Sequence, residues 1–394
     1  MLTSSDHSLP QRSSPVALDF QATTPCAPEV LEAMQPWWQQ HWGNPSSRQH
    51  RLGLTAAAAV SDARERLAAC LQVEPAQLIF TSGATEANNL ALLGYARAMA
   101  AQTGRRGHLI SMSSEHHAVL DPLHQLRREG FRVTLLAPGS DGLLEPAQLE
   151  NALEPDTLLV SVMAANNEIG VLQPVEQLAA LCQTHGIRFH SDAAQAFGHL
   201  PFHPTNLGVS LASISAHKVY GPKGIGALVV GDGVPLQPLQ FGGRQEQGLR
   251  PGTLPVPLIV GFARAAELAL ADQQERCSRL EHLRNRLWHG LQQQVGDVHL
   301  NGALQPRLPH NLNITVGGVN GQHLQQRLRS HLLCSSGSAC SAGTPSHVLQ
   351  AIGRSRDQAN ASLRLSLGRS TQNDDIEAAI ALIRDAVGHL RQIT

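Results

Sequence analysis

Between residues 78 and 230 the chain alternates short apolar runs with stretches of helical periodicity, and this alternation leaves few folds open. Leu78–Phe80, His108–Ser113, Val133–Leu136, Leu158–Met163, Ile187–His190, Leu211–Ser215 and Ile225–Val230 read as strands, most of them separated by helix-length intervals. Repeated strand-helix-strand units predict an α/β fold, a mostly parallel sheet with helices on both faces. One connection breaks the rule. Ala216–Gly224 is too short for a crossover helix, so the strands on either side of it are expected to run antiparallel.

In sheets of this kind ligands sit beyond the carboxyl ends of the strands. The polar clusters along this stretch each fall at the carboxyl end of a strand, so Thr85, His116, Asn167, Asp192 and Gln195 are expected to converge on one cleft. Thr81-Ser82-Gly83-Ala84-Thr85-Glu86 joins a strand to a helix, which aims backbone N–H groups and a helix dipole at an anion such as phosphate. The same string also fits an ordinary capping box, with Glu86 in the first turn.

Lys218 and Lys223 are the only two lysines in a chain with 30 basic residues, the other 28 being arginine. Arginine can replace lysine on a solvated surface, but it does not lose its proton near neutral pH and cannot form an imine with a carbonyl. Lysine retained at a strand's carboxyl end therefore points to amine chemistry, although a lysine beside a Gly-Pro turn also reads as a solvated turn residue.

At 394 residues the chain exceeds one typical core, and two domains are expected. A net charge of -1 with no run of like charges gives no footprint for nucleic acid or an anionic membrane. No apolar run approaches the roughly 20 residues a bilayer demands. The first 15 residues, rich in Ser, Pro and Gln, read as a disordered lead-in and not as a secretory signal. Six scattered cysteines show neither a CxxC pair nor metal-ligand spacing, which fits a reducing, cytoplasmic setting.

Downstream, Val260–Gln294 reads as one long connecting helix, followed by strands at Asn311–Val316 and Leu363–Ser366 in a smaller α+β domain. Asn313 reads as an unremarkable exposed strand residue. Cys334 ends an apolar run and is expected in the core. Cys340, within Ser335-Ser336-Gly337-Ser338-Ala339-Cys340, lies among small polar residues and is expected as an exposed, mobile thiol.

Taken together, Thr81–Glu86, Asn166-Asn167-Glu168-Ile169-Gly170, Ala216-His217-Lys218-Val219-Tyr220-Gly221-Pro222-Lys223-Gly224 and Ser335–Cys340 resemble the pyridoxal-phosphate-dependent cysteine desulfurases of the class V aminotransferase superfamily. The resemblance runs from Leu18 to Arg369 and belongs to the long-loop group with the Ser-Ser-Gly-Ser-Ala-Cys form. It implies a fold-type I transferase with a seven-stranded sheet. The division expected is an N-terminal arm (1–26) packing with the small domain, a large cofactor-binding domain (27–263) and a small domain (264–394) carrying Cys340.

By the same resemblance Lys218 carries pyridoxal phosphate and Lys223 is structural or at the surface. Asp192 pairs with the pyridinium nitrogen, Gln195 and Asn167 lie near the ring hydroxyl, and His116 stacks on the ring and serves as acid/base. Ala84, Thr85, Ser215 and His217 contact the phosphate, as does Thr253 from the other subunit of a homodimer. Arg364 clamps the substrate carboxylate, and Asn44 lies in the active-site loop.

The implied reaction converts L-cysteine to L-alanine and leaves a persulfide on Cys340. Iron-sulfur scaffold and sulfur-carrier proteins are the implied acceptors. No metal site is implied, beyond a cluster that Cys340 could share with a scaffold. Two departures from the group stand out: the segment after Cys340 is about two residues short, and Arg244 stands where a third glycine is common.

Overall fold

The computed structural model describes residues 14–335 and 345–393. Its centre is a seven-stranded sheet in the order Leu78–Thr81, Gly226–Val230, Leu211–Ser215, Arg188–Asp192, Thr157–Ser161, His108–Met112, Arg132–Leu136. The last five are mutually parallel, and Gly226–Val230 runs antiparallel to both of its neighbours. The antiparallel return therefore lies where the short connection requires it. Inner strands such as Leu211–Ser215 are buried along their whole length, which is why they read as unbroken apolar runs, whereas the edge strand Arg132–Leu136 is only part-buried.

The helix Arg51–Leu71 buries Ala56, Val60, Ala63 and Leu67 at helical spacing, in a core shared with the helix Val256–Ala271. The stretch Val260–Gln294, read as one helix, is two: Val256–Ala271 and Gln273–Gln294, broken at Asp272. The boundary expected at 263/264 falls inside the first of these, whose inward face stays in the sheet's core as far as Ala269. The second packs in another core, with the helix Asn373–Ile393 and the three-stranded sheet Ser362–Ser366, Asn311–Val316, Val298–Leu300. Helical periodicity alone does not register a change of packing partner, and Asp272 with Gln273 offered no proline or glycine to mark the break.

The N-terminal arm joins these parts. Val16–Ala17 pairs in parallel with Leu332–Leu333, and Asp19 bridges Ser366. Asn313, expected to be exposed, is fully buried, and its Nδ2 donates to the Glu168 carbonyl oxygen. Cys334 packs partly buried against the second core, where burial pushes its thiol pKa up to about 12.

Gly226 shows how the sheet positions the phosphate-type turn. A Cβ there would lie 2.7 Å from Gly83 Cα and 2.5 Å from the Ile214 carbonyl oxygen, so only glycine lets the strand and the turn meet. Gly226→Ala is expected to lower the unfolding free energy by about 1–3 kcal/mol, read from the shift of the urea midpoint at constant m-value.

Candidate active site

A cavity of about 490 Å³ opens at the carboxyl ends of the parallel strands, within the size range of small-molecule sites. Thr85, His116, Asn167, Asp192, Gln195, Ser215, His217, Lys218 and Arg364 all line it, together with Gly83 and Ala84 of the glycine turn. Asn44 and Thr253, both exposed, are not among its lining residues within this one chain. Cys340 lies outside the described residues, as does the shortened segment that follows it.

Lys218 ends the short turn Ala216–Lys218 that follows the strand Leu211–Ser215. Its ammonium donates to the carbonyl oxygens of Gln21 and Ala22, each at 2.8 Å. His217, one residue earlier, has its imidazole pKa lowered to about 4, first by burial and then by the nearby charges of Lys218 and Lys223. It is therefore neutral at physiological pH. Lys223 is exposed at the cavity rim, nearer the site than its sequence position in a Gly-Pro turn suggested.

Asp192 ends the strand Arg188–Asp192. Its carboxylate accepts from Asn88 Nδ2 at 2.6 Å and from the Ala194 N–H at 3.0 Å, which fixes its orientation. His116 caps the helix His117–Arg128, accepting the Ala118 N–H on Nδ1 at 3.0 Å. That bond requires an unprotonated Nδ1, so the neutral ring carries its hydrogen on Nε2. Burial lowers the His116 pKa, a trend that Asp192 opposes and Lys218 reinforces.

On the opposite wall Arg364 donates from Nη1 to the Asn167 carbonyl oxygen at 2.9 Å and from Nη2 to Asp19 Oδ1 at 3.0 Å. Its Nε and the Asn167 side-chain Oδ1 are buried with no hydrogen-bond partner among the described residues. The flanks of the undescribed segment 336–344 converge on the same wall. Ser335 exchanges both backbone hydrogen bonds with Arg364, Ser346 Oγ donates to the buried Glu168 carboxylate, and His347 Nε2 bonds the Glu115 carbonyl oxygen.

The donor set fits pyridoxal phosphate. The first helical turn after Gly83, with Ser215 and His217, offers anion donors, and an ideal Cβ at Gly83 would meet nothing within 4 Å, which leaves open space over the turn. Asp192 would supply a fixed carboxylate for a protonated ring nitrogen, His116 a flat neutral ring, and Lys218 the amine.

Sequence reasoning missed the Gln21 and Ala22 carbonyls, Asn88, Glu168 and His347. Asn88 had a signal, since it sits four residues beyond Ala84 on the same helical face. The backbone acceptors had none, because a carbonyl's direction is not written in a side chain.

The Aminotransferase class-V family matches residues 16–379. Cysteine desulfurase IscS of Methylococcus capsulatus is 45% identical over 384 residues, covering 96% of this chain and 94% of that protein. The corresponding protein of Rickettsia akari is 42% identical, covering 96% and 93%. Among solved structures, a NifS-like protein at 36% identity superposes with a TM-score of 0.88 over 95% of this chain and 100% of its own. Another, SspA in complex with cysteine, is 38% identical with a TM-score of 0.77, covering 89% and 98%. With this cavity at its strand ends and these likenesses along nearly its whole length, the chain belongs to the class-V aminotransferases and, within them, to the cysteine desulfurases.

Proposed function

We propose that this protein converts L-cysteine to L-alanine with pyridoxal phosphate on Lys218, and that Cys340 receives the sulfur as a persulfide for delivery to acceptor proteins. The observation that carries the reading is the meeting of Lys218, Asp192, His116 and Arg364 around one cavity, in a chain whose family is generally pyridoxal-phosphate dependent. Bound there, the cofactor supplies an aldehyde for amines and a ring that draws electrons from the substrate's bonds, provided that its nitrogen stays protonated.

The chain's own residues do the rest. Asp192, oriented by Asn88 and Ala194, keeps that nitrogen charged. Arg364 binds the substrate carboxylate through its planar guanidinium. The Lys218 amine takes and returns a proton at the substrate α-carbon, while neutral His116 holds or moves one beside it. The Cys340 thiolate attacks the substrate sulfur, so the carbon-sulfur bond breaks as a sulfur-sulfur bond forms. Alanine leaves and Cys340 carries one extra sulfur. Ser335, paired with Arg364 on the cavity wall, is five residues from Cys340, a reach of at most about 18 Å for extended chain.

The same reading makes the protein a homodimer in which Thr253, outside the single-chain cavity, completes the partner's site. Iron-sulfur scaffolds and sulfur carriers are its acceptors. We assign it to the cytoplasm: all five described cysteines are free, and among the described residues no helix is long and apolar enough to cross a membrane.

Lys218→Ala is expected to abolish both turnover and the visible absorbance of the lysine-linked cofactor. Retention of that absorbance would move the attachment elsewhere. Cys340→Ala is expected to lose protein-bound, transferable sulfur and to slow alanine formation by at least about 10²-fold. Undiminished alanine formation with release of zero-valent sulfur would instead identify a lyase that needs no protein persulfide.

The catalytic profile should also reflect the depressed His116. Because burial favours its neutral form, kcat/KM is expected to hold as pH falls through the ordinary imidazole range near 6.5 and to decline only below it. An acid limb centred above that range, and removed by His116→Gln, would contradict the assignment.

A further inference from the structure

Arg364 is a buried guanidinium, with its side chain 3% exposed, and a buried charge without a counter-ion is costly. Its counter-ion in this structure is Asp19, whose carboxylate lies 3.0 Å away and whose side chain is 32% exposed. Water thus reaches the acid but barely reaches the arginine. The remaining nitrogen, Nε, is buried and lacks a partner among the described residues, so Asp19 occupies only part of a fork suited to a bidentate carboxylate.

Asp19 also begins a tight turn. The Ala22 N–H donates back to the Asp19 carbonyl oxygen at 3.2 Å, and the two carbonyls that receive the Lys218 ammonium, Gln21 and Ala22, belong to the same four residues. One short turn thereby holds the arginine through its first side chain and the lysine through its last two carbonyls.

We propose that Asp19 is an internal stand-in for the substrate carboxylate, the counter-ion that the buried Arg364 keeps until a substrate carboxylate replaces it. The inference rests on reading Arg364 as the carboxylate-binding arginine. An incoming carboxylate takes Nη2 and Nε of Arg364, the guanidinium keeps a counter-ion throughout, and Asp19 swings to water. Asp19 is a positioning residue.

The test is made on the holoenzyme, by competitive inhibition. The probe ligand is β-mercaptopropionate, which has the carboxylate and thiol of the substrate but no amine. Asp19→Asn should lower the competitive inhibition constant of β-mercaptopropionate by roughly three- to tenfold, the scale of one ordinary hydrogen bond.

Asp19→Glu, which keeps the carboxylate, should restore parental behaviour and controls for a merely disturbed arm. An inhibition constant that stays parental in Asp19→Asn overturns the stand-in role while leaving the site reading intact. An inhibition constant unchanged by Arg364→Ala shows that the carboxylate binds elsewhere, and overturns both.

Discussion

The antiparallel return of Gly226–Val230 onto Leu211–Ser215 is the constraint on which the site depends. Without room for a crossover helix, the chain must double back at the carboxyl end of a central strand, and the turn so formed places Lys218 in the cavity. The returning strand then passes under the glycine turn, where the absence of a side chain on Gly226 allows its backbone to approach Gly83. The amine and the anion cradle are thus brought together by one pair of backbone hydrogen-bond ladders.

Around that junction the polar groups are positioned by what they bond. Asp192 is held by Asn88 and Ala194, and His116 is fixed as one tautomer by the N–H it caps. A deeper polar layer ties the two cores below the cavity. Asn311 and Asn313, on a strand of the smaller sheet, both donate to the Glu168 carbonyl oxygen, and Asn311 also bonds the Gln21 side chain. Buried polar groups of this kind are costly unless paired, so the pairing specifies how the second core sits against the first.

The N-terminal arm has the greatest effect for its length. It pairs with Leu332–Leu333, bridges Ser366, supplies Asp19 to Arg364 and two carbonyls to Lys218. The Lys218 ammonium and the Arg364 guanidinium are therefore both engaged by the same four residues.

Local pattern was enough for the strand-helix alternation, the antiparallel return, and the placement of Thr85, His116, Asn167, Asp192, Gln195 and Lys218 at strand ends, because each depends on periodicity, connection length or a strand terminus. The family motifs extended that reading to Ser215, His217 and Arg364. Pattern failed where the deciding contact lay far away in sequence. Asn313 looked like a surface residue because its partner, Glu168, is 145 residues distant. The helix break at Asp272 was invisible because both halves keep the same period while changing cores. The sequence by itself determined the layered α/β architecture and the chemistry available at its strand ends. Only the tertiary structure decided which backbone carbonyls hold the lysine and which carboxylate shields the arginine, since those contacts arise from chain segments nearly 200 and 345 residues apart that no local propensity connects.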